Sequence, residues 1–157
     1  CKKCGAGQDD MEEKTMVELS CKYIIAPKKT LQLELLFSND PISFFGGVNS
    51  KNGKIEDHRH SSYQESITNK AFAFPFGKGS SGAGLVLMEM ARLQTAPAAI
   101  INIRTDPVIL TGPLICKHFY DQFFPVINLT REEYAKLSIM KKVALFATGE
   151  ILEAFEK

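Results

Sequence analysis

Ala71-Phe-Ala-Phe-Pro-Phe-Gly-Lys-Gly-Ser80-Ser-Gly-Ala-Gly-Leu-Val-Leu-Met-Glu-Met90-Ala-Arg-Leu-Gln94 is the stretch from which the fold can be read. Phe72, Phe74 and Phe76 alternate with smaller residues, the period of two that predicts a strand. Residues 85–93 are apolar or good helix formers with no breaker among them, which predicts a buried helix. Between the two lies Gly77-Lys-Gly-Ser-Ser-Gly82. A strand-to-helix turn of this composition aims backbone N–H groups and the positive end of a helix dipole at one point. A carboxylate or phosphate is its natural occupant.

Downstream of this unit, residues 98–103 predict a short buried strand and Pro113 the first turn of a helix over 113–120. Residues 125–129 predict another strand. Thr130-Arg-Glu-Glu133 is a capping box, with Leu129 and Tyr134 as its staple, and opens a helix over 131–137. Residues 142–147 read as the final strand before a fraying end, and the four strands are expected in one sheet. Upstream, residues 21–26 and 31–37 read as strands joined by the turn Pro27-Lys-Lys-Thr30, which predicts a hairpin. Residues 42–48 carry adjacent glycines, Gly46 and Gly47, after an aromatic pair, a sign of close approach or an unusual turn. Residues 54–70 are polar and without a regular period, the mark of a functional or mobile loop. Residues 1–20 read as a polar tail outside the core, leaving 21–153 as a single domain. The alternation of strands and helices makes the class α/β, a mostly parallel sheet with flanking helices and an added β layer.

Composition narrows the function. A chain of 157 residues with 45% apolar and 24% charged residues suits one globular domain. A formal net charge of +1 offers no basic footprint for nucleic acid. No apolar run approaches the roughly 20 residues of a membrane span, and the first residues lack the apolar core of a signal peptide, so a cytoplasmic protein is expected. Cys1 and Cys4 form half of a possible metal site, but Cys21 and Cys116 supply no second close pair. His58 and His60 would point to opposite sides of a strand, and in a loop they read better as solvated or partner-facing than as metal ligands. No metal is therefore expected in this chain.

Gly77-x-Gly79-x-x-Gly82 matches the dinucleotide fingerprint in the correct strand-to-helix context, but the pattern alone is weak. The acidic residue expected about 20 positions further on is missing, since Asn102 stands there. A stand-alone dinucleotide- or anion-binding module, and a turn made small only for close helix–sheet packing, both remain open on these residues.

The residues also resemble a known family. Phe76-Gly-Lys-Gly-Ser-Ser81 is similar to the Phe-Gly-x-Gly-Ser-Ser turn of the swivelling domain of aconitases. Pro41-Ile-Ser-Phe-Phe-Gly-Gly-Val48, Gly53-Lys-Ile-Glu-Asp57-x-x-His60, Glu65-Ser66, Thr95-Ala-Pro-Ala-Ala99 and Asp106-Pro107 follow the order seen in the small subunit of aconitase X proteins. The resemblance covers about residues 38–130 and implies a swivelling β/β/α domain. It implies a hydro-lyase subunit, inactive without a large subunit that carries an iron or iron–sulfur centre. It further implies Ser80 as catalytic base, with Lys78, Gly79 and Ser81 at the substrate. Gly46, Gly47, Asp57 and His60 would lie on a loop facing the active site or the partner. The substrate would be a small hydroxy acid, mevalonate 5-phosphate or cis-3-hydroxyproline. Resemblance of residues 80–84 and 95–99 to bacterial members points to the latter. Gly82 stands where aconitases carry a substrate-binding arginine, and Asn49 replaces an aspartate. Leu31-Gln-Leu33 stands in place of a glycine-bearing turn.

Overall fold

The computed structural model describes residues 15–79 and 81–156. Eight strands run in the order β1 (Met16–Ser20), β8 (Ile151–Phe155), β7 (Lys142–Leu145), β3 (Leu31–Phe37), β4 (Ala71–Ala73), β5 (Ala99–Asn102), β6 (Val126–Asn128) and β2 (Lys22–Ile25). Two sheets share β3. Its first half, Leu31 to Glu34, pairs antiparallel with β7, and its second half, Leu35 to Phe37, pairs parallel with β4. Strands β3, β4, β5 and β6 are parallel neighbours, edged by antiparallel β2.

The alternation read in residues 71–74 decides how the layers stack. Phe72 and Phe74 point to one face and Ala71 and Ala73 to the other, all fully buried. On the phenylalanine side lie α2 (Ala83–Arg92), α3 (Pro107–Phe119) and the connection from β3 to β4. Phe44, in the short helix α1 (Phe44–Gly47), meets Phe74 edge-on at 5.7 Å between ring centroids. On the alanine side, small side chains let the antiparallel sheet come close, and Leu19, Val143, Leu145, Leu152 and Ala154 fill the second core. Helix α4 (Arg131–Lys136) closes that core through Tyr134, whose hydroxyl donates to Ser38 O at 2.6 Å. The result is the expected β/β/α domain.

Helix α2 buries Ala83, Gly84, Leu87, Met90 and Ala91, one stripe at helical spacing. It crosses α3 where Gly84 meets Gly112: a Cβ on Gly112 would stand 2.7 Å from Gly84 O. The Thr130 side chain accepts from Glu133 N at 3.2 Å, as the capping box predicts.

Five readings change. Residues Met16–Ser20, expected outside the core, form β1 and bury Leu19. The pair Cys1 and Cys4 lies outside the described residues. Strands β2 and β3 are not a hairpin: β2 pairs with β6 and β3 with β4 and β7, on opposite sides of the parallel sheet. Residues beyond β7 form β8, and β7 itself joins the antiparallel sheet instead of the parallel one. Helix α3 starts at Pro107, capped by Asp106, which accepts from Val108 N at 2.7 Å; Pro113 lies inside the helix. Finally, residues 54–70 are pinned: Ile55 and Ile67 are fully buried, and Ile55 N donates to Glu65 O at 3.0 Å.

Candidate active site

The glycine-rich turn leaves the carboxyl end of β4, where ligands of parallel α/β sheets bind. Gly77 bridges to Ile42, and Lys78 N donates to Ile42 O at 2.9 Å, so the turn is strapped to the 42–48 segment. Each fingerprint glycine has a local reason. A Cβ on Gly77 would strike the buried side chain of Ile109. Gly79 has φ +102°, a left-handed conformation, and faces Ser43 Oγ at 2.9 Å from its would-be Cβ. Over Gly82 lies the Phe45 ring, 2.9 Å from where a Cβ would be. The space an aconitase arginine would leave through is therefore filled by Phe45. The amino ends of α2 and α3 come together here: Ala83, Asp106 and Val108 line one small cleft of about 50 Å³ with Gly77, Lys78 and Gly79. Lys78, Gly79 and Ser81 are exposed. Ser80 lies outside the described residues.

Lys78 also reaches a second, larger concavity of about 630 Å³. Its walls are Ser43, Phe45, Gly46 and Gly47 from one segment and Glu56, Asp57, His58 and Arg59 from another. The structure thus gathers Gly46, Gly47, Asp57 and Lys78, which are far apart in sequence. Asp57 sits at the centre. Its Oδ1 accepts from Arg59 N at 3.0 Å and lies 3.4 Å from Arg59 Nε, while its Oδ2 lies 3.6 Å from Lys78 Nζ. The Arg59 backbone N–H first, then the Arg59 guanidinium and Lys78, hold the Asp57 carboxyl below the usual carboxylate range. Asn49 explains itself here. Its amide donates to Glu56 Oε1 at 2.8 Å, a contact that an aspartate would turn into repulsion.

His60, expected on a loop facing the active site or the partner, is itself buried. Its Nδ1 accepts from Ser62 N at 3.1 Å, which places the proton on Nε2, 3.4 Å from Ser38 Oγ. Asp40 completes the fastening by accepting from Ser61 N at 2.8 Å. His60 thus holds the loop that presents Asp57, and His58 packs on Tyr63 at 4.4 Å between centroids. Sequence reading overlooked Ser43, Phe45 and Arg59 as wall residues. The available signals were an aromatic beside Gly46 and an arginine two residues past Asp57.

Asn102 donates to Phe74 O at 2.7 Å and is fully buried, so it holds the loops after β4 and β5 together. With parallel strands in sequential order and α2 and α3 on one face, the sheet formed by the described residues has no strand-order reversal of the dinucleotide-fold kind. Among the described residues, no three His, Cys, Asp or Glu side chains gather as a metal site. Cys21 and Cys116 are buried in separate cores. The donors among the described residues do not by themselves fit an iron centre or an iron–sulfur cluster. Among the described residues no helix is long and apolar enough to cross a membrane.

Comparison with known proteins bears on all of this geometry. The aconitase X swivel domain model matches residues 18–154. The phosphomevalonate dehydratase small subunit of Methanosarcina mazei is 42% identical over 82 residues, 52% of this chain and 57% of that subunit's length. The Methanothermobacter thermautotrophicus small subunit of the same name is 37% identical over 99 residues, 63% of this chain and 74% of that one. The crystal structure of Thermococcus kodakaraensis aconitase X in its holo-form superposes with a TM-score of 0.73 at 26% identity, covering 88% of this chain and 98% of that one. A UPF0107 protein solved by NMR in solution gives the same TM-score of 0.73 at 25% identity, with the same coverage of 88% and 98%. A match running from β1 to β8, with the fold of both solved relatives, makes this chain a member of the aconitase X swivel domain family.

Proposed function

We propose that this chain is the small subunit of an aconitase X-type hydro-lyase. It works in the cytoplasm with a large subunit that carries the iron or iron–sulfur centre. The observation that supports this best is the convergence of the 43–47 segment, the 56–59 segment and Lys78 on one concavity beside the turn before α2. A wall of this kind, with cations and exposed glycine backbone but, among the described residues, no gathered set of metal ligands, suits half of a shared site. The substrate we favour is mevalonate 5-phosphate, because several relatives of 35–42% identity bear the name phosphomevalonate dehydratase small subunit. That choice goes against the cis-3-hydroxyproline reading of residues 80–84 and 95–99.

In the reaction, a base takes a proton from the carbon that loses it, and a neighbouring carbon loses hydroxide. A carbon–carbon double bond forms and water is the balance. Ser80, two residues before the N-cap Gly82, is the proposed base. A serine alkoxide is too basic to persist free at neutral pH. Backbone donors and the positive helix end lower that cost in a site closed to water. Mixing the chain with its large subunit and measuring turnover of mevalonate 5-phosphate and cis-3-hydroxyproline tests the assignment. Ser80→Ala should lower turnover by about 10²–10⁴-fold with assembly intact. Normal assembly with near-wild-type turnover would remove Ser80 from the chemistry, and turnover of cis-3-hydroxyproline alone would overturn the substrate.

A further inference from the structure

We infer that Arg59 and Lys78 form the phosphate-binding subsite of this chain, with Asp57 as the fixed carboxylate that both cations face and that a phosphate would replace as their partner. The phosphate's place in a substrate rests on the dehydratase reading above; the binding of a phosphate group does not.

The geometry separates the roles. Asp57 is fixed by the Arg59 backbone N–H at 3.0 Å, and its side chain is only 16% exposed, so it stays put whatever the cations do. The cations are held loosely. Arg59 Nε stands 3.4 Å and Lys78 Nζ 3.6 Å from that carboxylate, with their side chains 88% and 44% exposed. Solvated ion pairs of such length contribute little, so neither cation is committed. A phosphate with several charged oxygens can accept from a guanidinium and an ammonium at once, which Asp57 uses only partly. The second acidic wall residue, Glu56, is occupied by Asn49. On the neighbouring 43–47 segment, Gly46 has open space around its would-be Cβ, leaving the backbone approachable. Lys78 lines both the large concavity and the small cleft at the amino ends of α2 and α3. A phosphate gripped there lies at the junction of the two. Phe45 covers Gly82, and the cations that line the concavity with it are Arg59 and Lys78.

The full chain, labelled for NMR, is titrated with inorganic phosphate and, separately, with acetate. Phosphate should shift the amides of residues 46–47, 57–59 and 78. Arg59→Gln should weaken the apparent affinity by about 10- to 100-fold, the loss of one charged hydrogen-bond partner. Arg59→Lys should recover part of it, and Arg92→Gln, remote from this wall, should change nothing. Shifts confined to other residues, an equal response to acetate, or an undiminished response in Arg59→Gln/Lys78→Gln would each overturn the subsite. In the two-subunit enzyme, Arg59→Gln should raise KM for the phosphorylated substrate with a smaller effect on kcat; an unchanged KM overturns the subsite while leaving the dehydratase reading in place. Absence of turnover with an Arg59-dependent phosphate response would reject the dehydratase reading and support the subsite.

Discussion

His60 carries no charge in the folded loop, and that has a consequence for acid stability. Its Nδ1 must accept from Ser62 N, which a protonated ring cannot do. Burial pushes the imidazole below its ordinary value of 6.5, and Asp40 and Asp57 oppose that shift while Lys78 adds to it. The unfolded chain therefore binds the proton more readily than the folded one. The contribution is complete above about pH 6.5 and is lost as pH falls through the lowered folded value. Melting curves at about pH 7.5 and pH 5 should show a larger drop for the wild type than for His60→Gln, whose side chain does not titrate. Equal drops would mean that another group controls the acid transition. Arg59 illustrates what sequence alone withholds at this scale. Nothing in His58-Arg59-His60 says which side chain faces out, because the loop is irregular and its facing is set by the Ser62 and Asp40 hydrogen bonds.

The contact between α2 and α3 rests on the absence of side chains at Gly84 and Gly112. Because a Cβ on Gly112 meets the Gly84 carbonyl oxygen, which is backbone and cannot rotate away, Gly112→Ala must part the helices. Overpacking of this kind costs about 1–3 kcal/mol, or roughly 2–4 °C of Tm for each kcal/mol in a domain of this size. Thermal unfolding of Gly112→Ala checks it, and an unchanged Tm would show that the helices slide freely. The β4–turn–α2 unit was legible because period-two and helical patterns adjoin there without ambiguity. Thr130 and Glu133 were legible because a cap is a local hydrogen bond. Other elements depended on distant partners. Edge strand β1 buries Leu19 alone, too little pattern to read. In β8, Leu152, Glu153 and Ala154 favour a helix and become a strand only through pairing with β7 and β1. The expected hairpin failed for the same reason: β6 and β7 offered β2 and β3 better partners than each other.

For the molecule as a whole, the exposed side chains around the turn point to a covering surface. Phe45 is 65% and Leu85 69% exposed, one beside Gly82 and the other in the first turn of α2. With the large subunit present, hydrogen exchange should slow at residues 44–47, 57–60 and 77–81. Protection confined to the antiparallel sheet would place the partner on the wrong side for a shared site. Sequence motifs marked these segments, but only folding shows that 46, 57 and 78 border one concavity. The shared strand β3 bears on how such a domain moves. Leu31 to Glu34 belong to one layer and Leu35 to Phe37 to the next, so there is no break in the backbone hydrogen bonding at which the layers could part. Torque applied to one layer passes directly into the other. The two layers should therefore move as one rigid body.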